Sequence, residues 1–325
     1  MSTNKIQIQP INMRRSNMTI KKFIVSLLSI LTTFGCFAEE YAIRSSVLNV
    51  VNEKYLHELL GNKSKEKHHE SSGVIFENNS FYIVFDNHSR VARIDADLHK
   101  AKLLGTATKG IGYEGITYDN VNSKFYLIEE SNDNNGALNA RINIANDKFS
   151  LEKKKWLKYN FQKNNKGFEG ITALVKNNNI YILALCEGND CDAGAASKIY
   201  GAGRIKVFEK KRKKWKYVAS IRLPRTLEFI DYSGIDINSD DVLAIASQES
   251  SAIFVAGLDL MNWKVVDDGV VYRFPKDANG NVIYCNIEGV AWISSDQFVT
   301  VSDAKKDYQQ EQCKKKEQSI HIVSM

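Results

Sequence analysis

Short apolar runs recur along the chain between clusters of Asn, Asp, Ser and Gly, and they come in pairs whose first member opens on the same phrase. The phrase reads Ser72-Gly73-Val74, Glu114-Gly115-Ile116, Glu169-Gly170-Ile171, Ser233-Gly234-Ile235 and Glu288-Gly289-Val290. The second members are Phe81–Phe85, Phe125–Ile128, Ile180–Leu185, Val242–Ala246 and Phe298–Val301. Each closes on a polar group, at Asp86, Glu129-Glu130, Glu187, Gln248-Glu249 or Asp303. Apolar, β-prone runs bounded by turn residues predict strands, and five similar units predict a repeat architecture.

The first unit reads as four strands, near 73–77, 80–85, 90–94 and 100–106, which is the blade of a propeller. Units two to four repeat it. Their second-to-third connections differ in length, with long polar inserts at Glu129–Gly136 and Glu187–Ala202 and a short one at Ser247–Ser251. Unit five offers three strands before the chain stops, while a β-prone run at Tyr41–Val51 has no hairpin partner nearby. Pairing that run with the last unit closes the ring and removes exposed sheet edges. The expected fold is all-β, a five-bladed β-propeller whose last blade is closed by the N-terminal strand.

The start of the chain has a different pattern. Lys21-Lys22 precede an apolar run from Phe23 to Phe34, and Cys36-Phe37-Ala38 before Glu39 has the small-residue spacing of a cleavage site. This predicts a signal peptide over 1–38, with Met18 as a possible true start, and one propeller domain over 39–325. The run is too short to span a bilayer of about 30 Å. Lipoprotein anchoring at Cys36 is the less favoured alternative to a free periplasmic or secreted protein. Removing residues 1–38 takes five of the 44 basic residues and none of the 38 acidic ones, so the net charge of +6 falls to about +1. A global basic signal for nucleic acid disappears with it. The local runs Lys153-Lys154-Lys155 and Lys210–Lys214 read as solvated hairpin edges, and His68, His69 and His88 as surface residues. Four cysteines remain. An even number in an exported chain suggests disulfides, and the blade topology pairs Cys186 with Cys191 and Cys285 with Cys313. A monomer is expected.

In an up-and-down blade the first strand starts, and the second ends, on the same face of the ring. Ser72, Glu114, Glu169, Ser233 and Glu288 should therefore converge on the axis, with Asp86, Glu130, Glu187, Glu249 and Asp303 around them. Three axial carboxylates repel one another unless they are protonated, bonded to backbone amides, or gathered around a cation. Carboxylates and hydroxyls are hard oxygen donors, the set that Ca2+ prefers. A metal-free ring in which the glutamates staple neighbouring blades is the alternative.

The ordered set Ser, Glu, Glu, Ser, Glu, one per blade, resembles the central calcium ring of the secreted calcium-activated nucleotidase (apyrase) family, a five-bladed propeller. Glu70-Ser71-Ser72-Gly73-Val74-Ile75-Phe76 and Phe81-Tyr82-Ile83-Val84-Phe85-Asp86 are similar to that family's first blade. Tyr113-Glu114-Gly115-Ile116 and Phe168-Glu169-Gly170-Ile171 also resemble bacterial propellers described as phytase-like or esterase-like. The resemblance implies that Ser72, Glu114, Glu169, Ser233 and Glu288 ligate one Ca2+. On this reading the protein is a Ca2+-assisted hydrolase of phosphate esters or anhydrides, with Glu130, Glu187 or Asp303 orienting water. Arg90, Arg204, Lys305 and Lys306 are then candidate partners for the phosphate of a small-molecule substrate. The alternative is a non-catalytic ligand- or protein-binding propeller with a structural ion. No Gly-x-Ser-x-Gly phrase argues for a serine hydrolase.

Overall fold

Alternating apolar positions in the first unit pair across an antiparallel meander, and four further meanders follow. The computed structural model describes residues 43–61, 68–163 and 166–325. The expected signal peptide and the Cys36 alternative lie outside the described residues. The chain opens with strands β1 (Arg44–Val47) and β2 (Asn49–Tyr55) and a short helix α1 (Leu56–Leu60). Blade one is β3 (Ser71–Glu77), β4 (Ser80–Phe85), β5 (Val91–Asp95) and β6 (Ala101–Leu104). Blade two is β7 (Gly115–Asp119), β8 (Lys124–Asp133), β9 (Leu138–Ala145) and β10 (Leu151–Phe161). Blade three is β11 (Phe168–Lys176), β12 (Asn179–Cys186), β13 (Arg204–Lys211) and β14 (Lys214–Arg222). Blade four is β15 (Gly234–Ile237), β16 (Val242–Ser247) and β17 (Ala252–Asp259), with β18 (Lys264–Val265) and β19 (Val270–Arg273) both on β17. Blade five is β20 (Ile287–Trp292), β21 (Gln297–Ser302) and β22 (Ser319–Ser324), completed by β2. Among the described residues no helix is long and apolar enough to cross a membrane.

The ring closes as expected, but the closing strand has other bounds. The expected single strand Tyr41–Val51, whose first two residues lie outside the described ones, is instead two strands that divide at Leu48. Before it, β1 runs parallel to β19 on the outer edge of blade four; after it, β2 pairs antiparallel with β22 as far as Tyr55. The physical reason is a knob. Leu48 is buried in the core between blades four and five, while Val47 beside it is 64% exposed, so the backbone turns there from one blade to the next. A second correction concerns Glu129–Gly136, which is not a long loop. Strand β8 extends into it as far as Asp133, with Asn132 opposite Asn139 and Asp133 opposite Leu138 at the start of β9, because backbone pairing continues past an irregularity after Glu129.

Five hydrophobic clusters fill the five seams between neighbouring blades. In the seam of blades one and five, Ile83 and Phe85 meet Val299 and Val301, all fully buried. Full burial of each such side chain stabilises by about 1.5–3 kcal/mol. His69 and His88, expected on the surface, are buried against Phe85, whose ring centroid lies 5.5 Å from one imidazole and 4.2 Å from the other.

At the axis the phrase glycines abut one another. A Cβ on Gly234 would stand 2.7 Å from the Glu288 carbonyl oxygen and 3.0 Å from Gly289 Cα, and one on Gly73 would stand 2.9 Å from Gly115 Cα. These contacts are with backbone, which cannot swing aside. Gly234→Ala is expected to cost roughly 1–3 kcal/mol through overpacking, read as a shift in the denaturant midpoint with unchanged slope. An unchanged midpoint would contradict so tight an axis.

The disulfides are Cys186–Cys191 and Cys285–Cys313, with Cα separations of 5.0 and 5.4 Å. Both brace loops on one face of the ring. Peptide mapping without reductant is expected to recover these two pairs. Replacing Cys285 and Cys313 by Ser should cost about 3–4 kcal/mol, since their bridge closes a loop with a sequence separation of 28.

Candidate functional site

The polar group at the end of each second strand and the residue before each phrase glycine surround a well on the face braced by the disulfides. Its volume is about 180 Å³. All eight residues singled out from the sequence line it: Ser72, Glu114, Glu169, Ser233 and Glu288 from the axial phrases, and Glu130, Glu187 and Asp303 from the strand ends. Asp86, Asp231 and Glu249 line it as well, giving nine carboxyl groups against one lysine, Lys306. The glycine phrases below leave a constriction of about 10 Å³, no more than a water's probe volume. The well is closed underneath.

The serines, rather than the glutamates, staple the ring. Ser72 Oγ donates to the Tyr113 carbonyl and Ser233 Oγ to the Ile287 carbonyl at 2.7 Å, each time to the residue preceding the next blade's glutamate. The glutamates are left to face the well. Among the described residues, Glu130, Glu169 and Glu187 form a trio whose carboxylate oxygens all lie within 4.8 Å of one another. Glu130 Oε1 accepts from the Gly167 amide at 2.9 Å, and Glu187 Oε1 is paired with Lys166. The other oxygen of Glu187, Oε2, is buried and has no hydrogen-bond partner. Across the well, Asp303 is buried, paired with Lys306 and bonded to the Ala304 amide. The trio therefore mixes one axial residue with two from the strand ends, so axis and rim are not separate shells here.

Crowding shows in the protonation of the well. Burial, then repulsion from Asp86, Glu130, Glu187 and Asp303, pushes Glu114 up to about 8. Glu169 and Glu288 are pushed well above the usual carboxylate range, by burial first and neighbouring carboxylates second. Glu130 is raised by burial against opposing hydrogen bonds from the Gly167 amide and Glu169. Asp86 has an exposed surface at the mouth, yet the protein mass around it and the charges of Asp303 and Glu70 push it up to about 7. Burial also pushes Asp231 up to about 6, opposed by the Ser247 hydroxyl and the Glu249 amide. Lys306 is raised, since its pairing with Asp303 outweighs desolvation of the ammonium. At neutral pH the well holds protons where a cation would relieve the same repulsion. The oxygen-only donor set, the close trio and the unpartnered Glu187 Oε2 fit a hard dication.

Of the four cations expected near a phosphate, Lys306 alone lines the well. Arg204 is paired with Asp190, Lys305 lies 3.4 Å from Glu311, and Arg90 donates to the Leu103 carbonyl at 3.4 Å. Asp231 was missed by sequence reasoning, although a signal existed. An acid stands two residues before each phrase serine, Glu70 before Ser72 and Asp231 before Ser233, whereas Gly112, Gly167 and Asn286 stand two before the phrase glutamates. Blades without an axial carboxylate carry one two residues earlier.

No protein-family model and no curated protein matches the chain. Among solved structures, a glutaminyl cyclase from Myxococcus xanthus is similar, with a TM-score of 0.51 and 11% identity over 87% of this chain and 97% of that one. A β-xylosidase, RS223, is similar with a TM-score of 0.50 and 10% identity over 84% of this chain and 94% of that one. At such identity the likeness is one of fold, and the protein has the fold that its five repeats imply, a five-bladed β-propeller.

Proposed function

We propose that the axial well binds Ca2+ and that the loaded protein is an exported hydrolase of phosphate esters or anhydrides. The observation that carries the cation is the trio of Glu130, Glu169 and Glu187, with Glu187 Oε2 buried and unpartnered. These three residues would hold the ion, with Ser72, Glu114, Ser233 and Glu288 as the further oxygen donors. Bound there, Ca2+ would polarise phosphoryl oxygens and offset the charge that develops on them.

The chain's own residues supply the remainder. Asp303 is outside the trio and is held in one orientation by Lys306 and the Ala304 amide, which suits it to orient water and take its proton. Lys306 brings the well's own positive charge within reach of an anionic group. Carboxyl groups line the well nine to one over lysine and disfavour a phosphate there unless a cation offsets them, so substrate binding is expected to require the ion. The fold neighbours, a cyclase and a xylosidase by their titles, carry the architecture and not a reaction for this chain.

The second reading is a non-catalytic propeller with a structural ion. It draws on the bonds of Ser72, Ser233 and Glu130 to backbone groups of neighbouring blades, which build the well into the closure of the ring. Calorimetric titration of metal-free protein with Ca2+ tests the ion. Assays on nucleotides, phytate and generic phosphate esters, with and without chelator, separate the two readings: chelator-sensitive turnover supports the hydrolase, and saturable Ca2+ binding without turnover supports the binding module. Failure to bind Ca2+ would sink both.

A further inference from the structure

The two basic runs do not lie on separate hairpin edges. They face each other across a cleft of about 500 Å³ between blades two and three, larger than the acidic well. Lys153 and Lys155 reach it from β10, Arg212 and Lys213 from the turn joining β13 to β14, and Lys214 from the start of β14. Strand alternation sorts the first run. Lys153 and Lys155 line the cleft, whereas Lys154 between them points to the other side of the sheet, 3.7 Å from Glu129. Lys124 and Lys210 complete seven cationic side chains, against one lining carboxylate, Glu152.

Charge balance separates this cleft from an ordinary solvated edge. Lys124 is paired with Glu152 at 2.6 Å and Lys210 with Asp119 at 3.5 Å. The other five cations have no ion-pair partner among the described residues. Protecting a strand edge takes one or two lysines and does not require runs from two blades to converge. The floor is fixed. Trp215 and Tyr126 are buried in the seam, and Lys210 Nζ is held 3.0 Å from the Tyr126 hydroxyl and 5.9 Å from the Trp215 ring centroid. A concave floor under unpaired cations suits a compact, multiply charged oxyanion, because several ammonium groups and a guanidinium can each engage an oxygen.

We infer that this cleft is a binding site for a ligand carrying closely spaced phosphate groups, separate from the axial well. It lies at the other end of the blades. Lys124 opens the strand whose far end carries Glu130, and Lys153 lies near the start of β10, whose far end leads to Gly167. Its occupancy is therefore independent of Ca2+ and of any hydrolytic activity.

The test uses the full mature chain, stripped of metal and dialysed into chelator-free, low-salt buffer, with inorganic tripolyphosphate as probe in calorimetry. Saturable binding is expected. Lys153→Gln/Lys155→Gln and Lys213→Gln/Lys214→Gln, changing opposite walls, should each weaken it by about tenfold or more. Lys102→Gln/Lys264→Gln removes the same charge from exposed sites on blades one and four and should leave binding within about twofold. A parallel arm uses phosphatidylcholine vesicles with and without phosphatidic acid. Binding to tripolyphosphate alone identifies a soluble ligand, and additional binding to phosphatidic acid vesicles, lost in the same cleft variants, identifies a lipid headgroup. No response to either probe would overturn the inference. So would equal weakening in the control variant, or retention of a single-stranded oligonucleotide without any response to tripolyphosphate.

Discussion

At pH 8 in excess Ca2+ the protein should melt roughly 5–10 °C above its metal-free form, and at pH 5 the gain should be markedly smaller. An ion that binds the native state alone at a hundredfold excess over Kd stabilises by about 2.7 kcal/mol, which for a domain of this size is a shift of that order. The pH dependence follows from the carboxyls. Glu114 rises from 4.5 to about 8 on folding, and Asp86 from 3.8 to about 7. In that window the native state binds more protons than the unfolded chain, so metal-free stability is full below the unfolded values and is lost as pH rises through the folded ones. At pH 8 Asp86 is ionised and Glu114 half so, which leaves the metal-free well less stable than at pH 5, where Ca2+ must displace protons to enter. His321 runs the other way. Burial holds it neutral, below its ordinary 6.5, so its penalty fades as pH rises. Comparing melts with and without Ca2+ at the same pH cancels that contribution. Identical melts at pH 8, on protein shown by elemental analysis to be metal-free before addition, would remove the metal site.

The second large effect separates ion from chemistry. Asp303→Asn is expected to lower turnover by about 10²–10⁴-fold while keeping the Ca2+-dependent melting shift, because Asp303 stands outside the trio. Glu169→Gln should abolish the shift and the turnover together, since it removes a direct ligand. Glu187→Gln, which sequence reasoning placed among the water-orienting acids, is expected to behave like Glu169→Gln because its carboxylate lies in the trio. A loss made only in the transition state lowers kcat and kcat/KM alike, and that signature should appear in Asp303→Asn alone. Full activity in Asp303→Asn would move the chemistry elsewhere in the well. Turnover lost together with the melting shift in Asp303→Asn would make that residue a ligand.

The eight candidate site residues could be read from the chain because each is tied to a local phrase, the start of a first strand or the end of a second. Their grouping could not. Glu130 and Glu187 are 57 positions apart, and both flank Glu169 only because blades two and three are adjacent at the axis. Asn-rich Ser131–Asn135 carries every local mark of a turn, yet most of it is strand, since ladder pairing depends on the neighbouring backbone and not on side-chain type. His69 and His88 have polar neighbours in sequence and aromatic ones in space.

Sequence alone determined the number of blades, the all-β class, the ring closure and both disulfides. These follow from periodicity and from an up-and-down topology that leaves each strand end one face to occupy. Tertiary structure decided which charges meet. Ring closure gathered nine carboxyl groups into one well and set the two basic runs against each other at the opposite ends of the blades. Electrostatic energy depends on separation in space, and in a propeller that separation is set by the packing of one blade against the next.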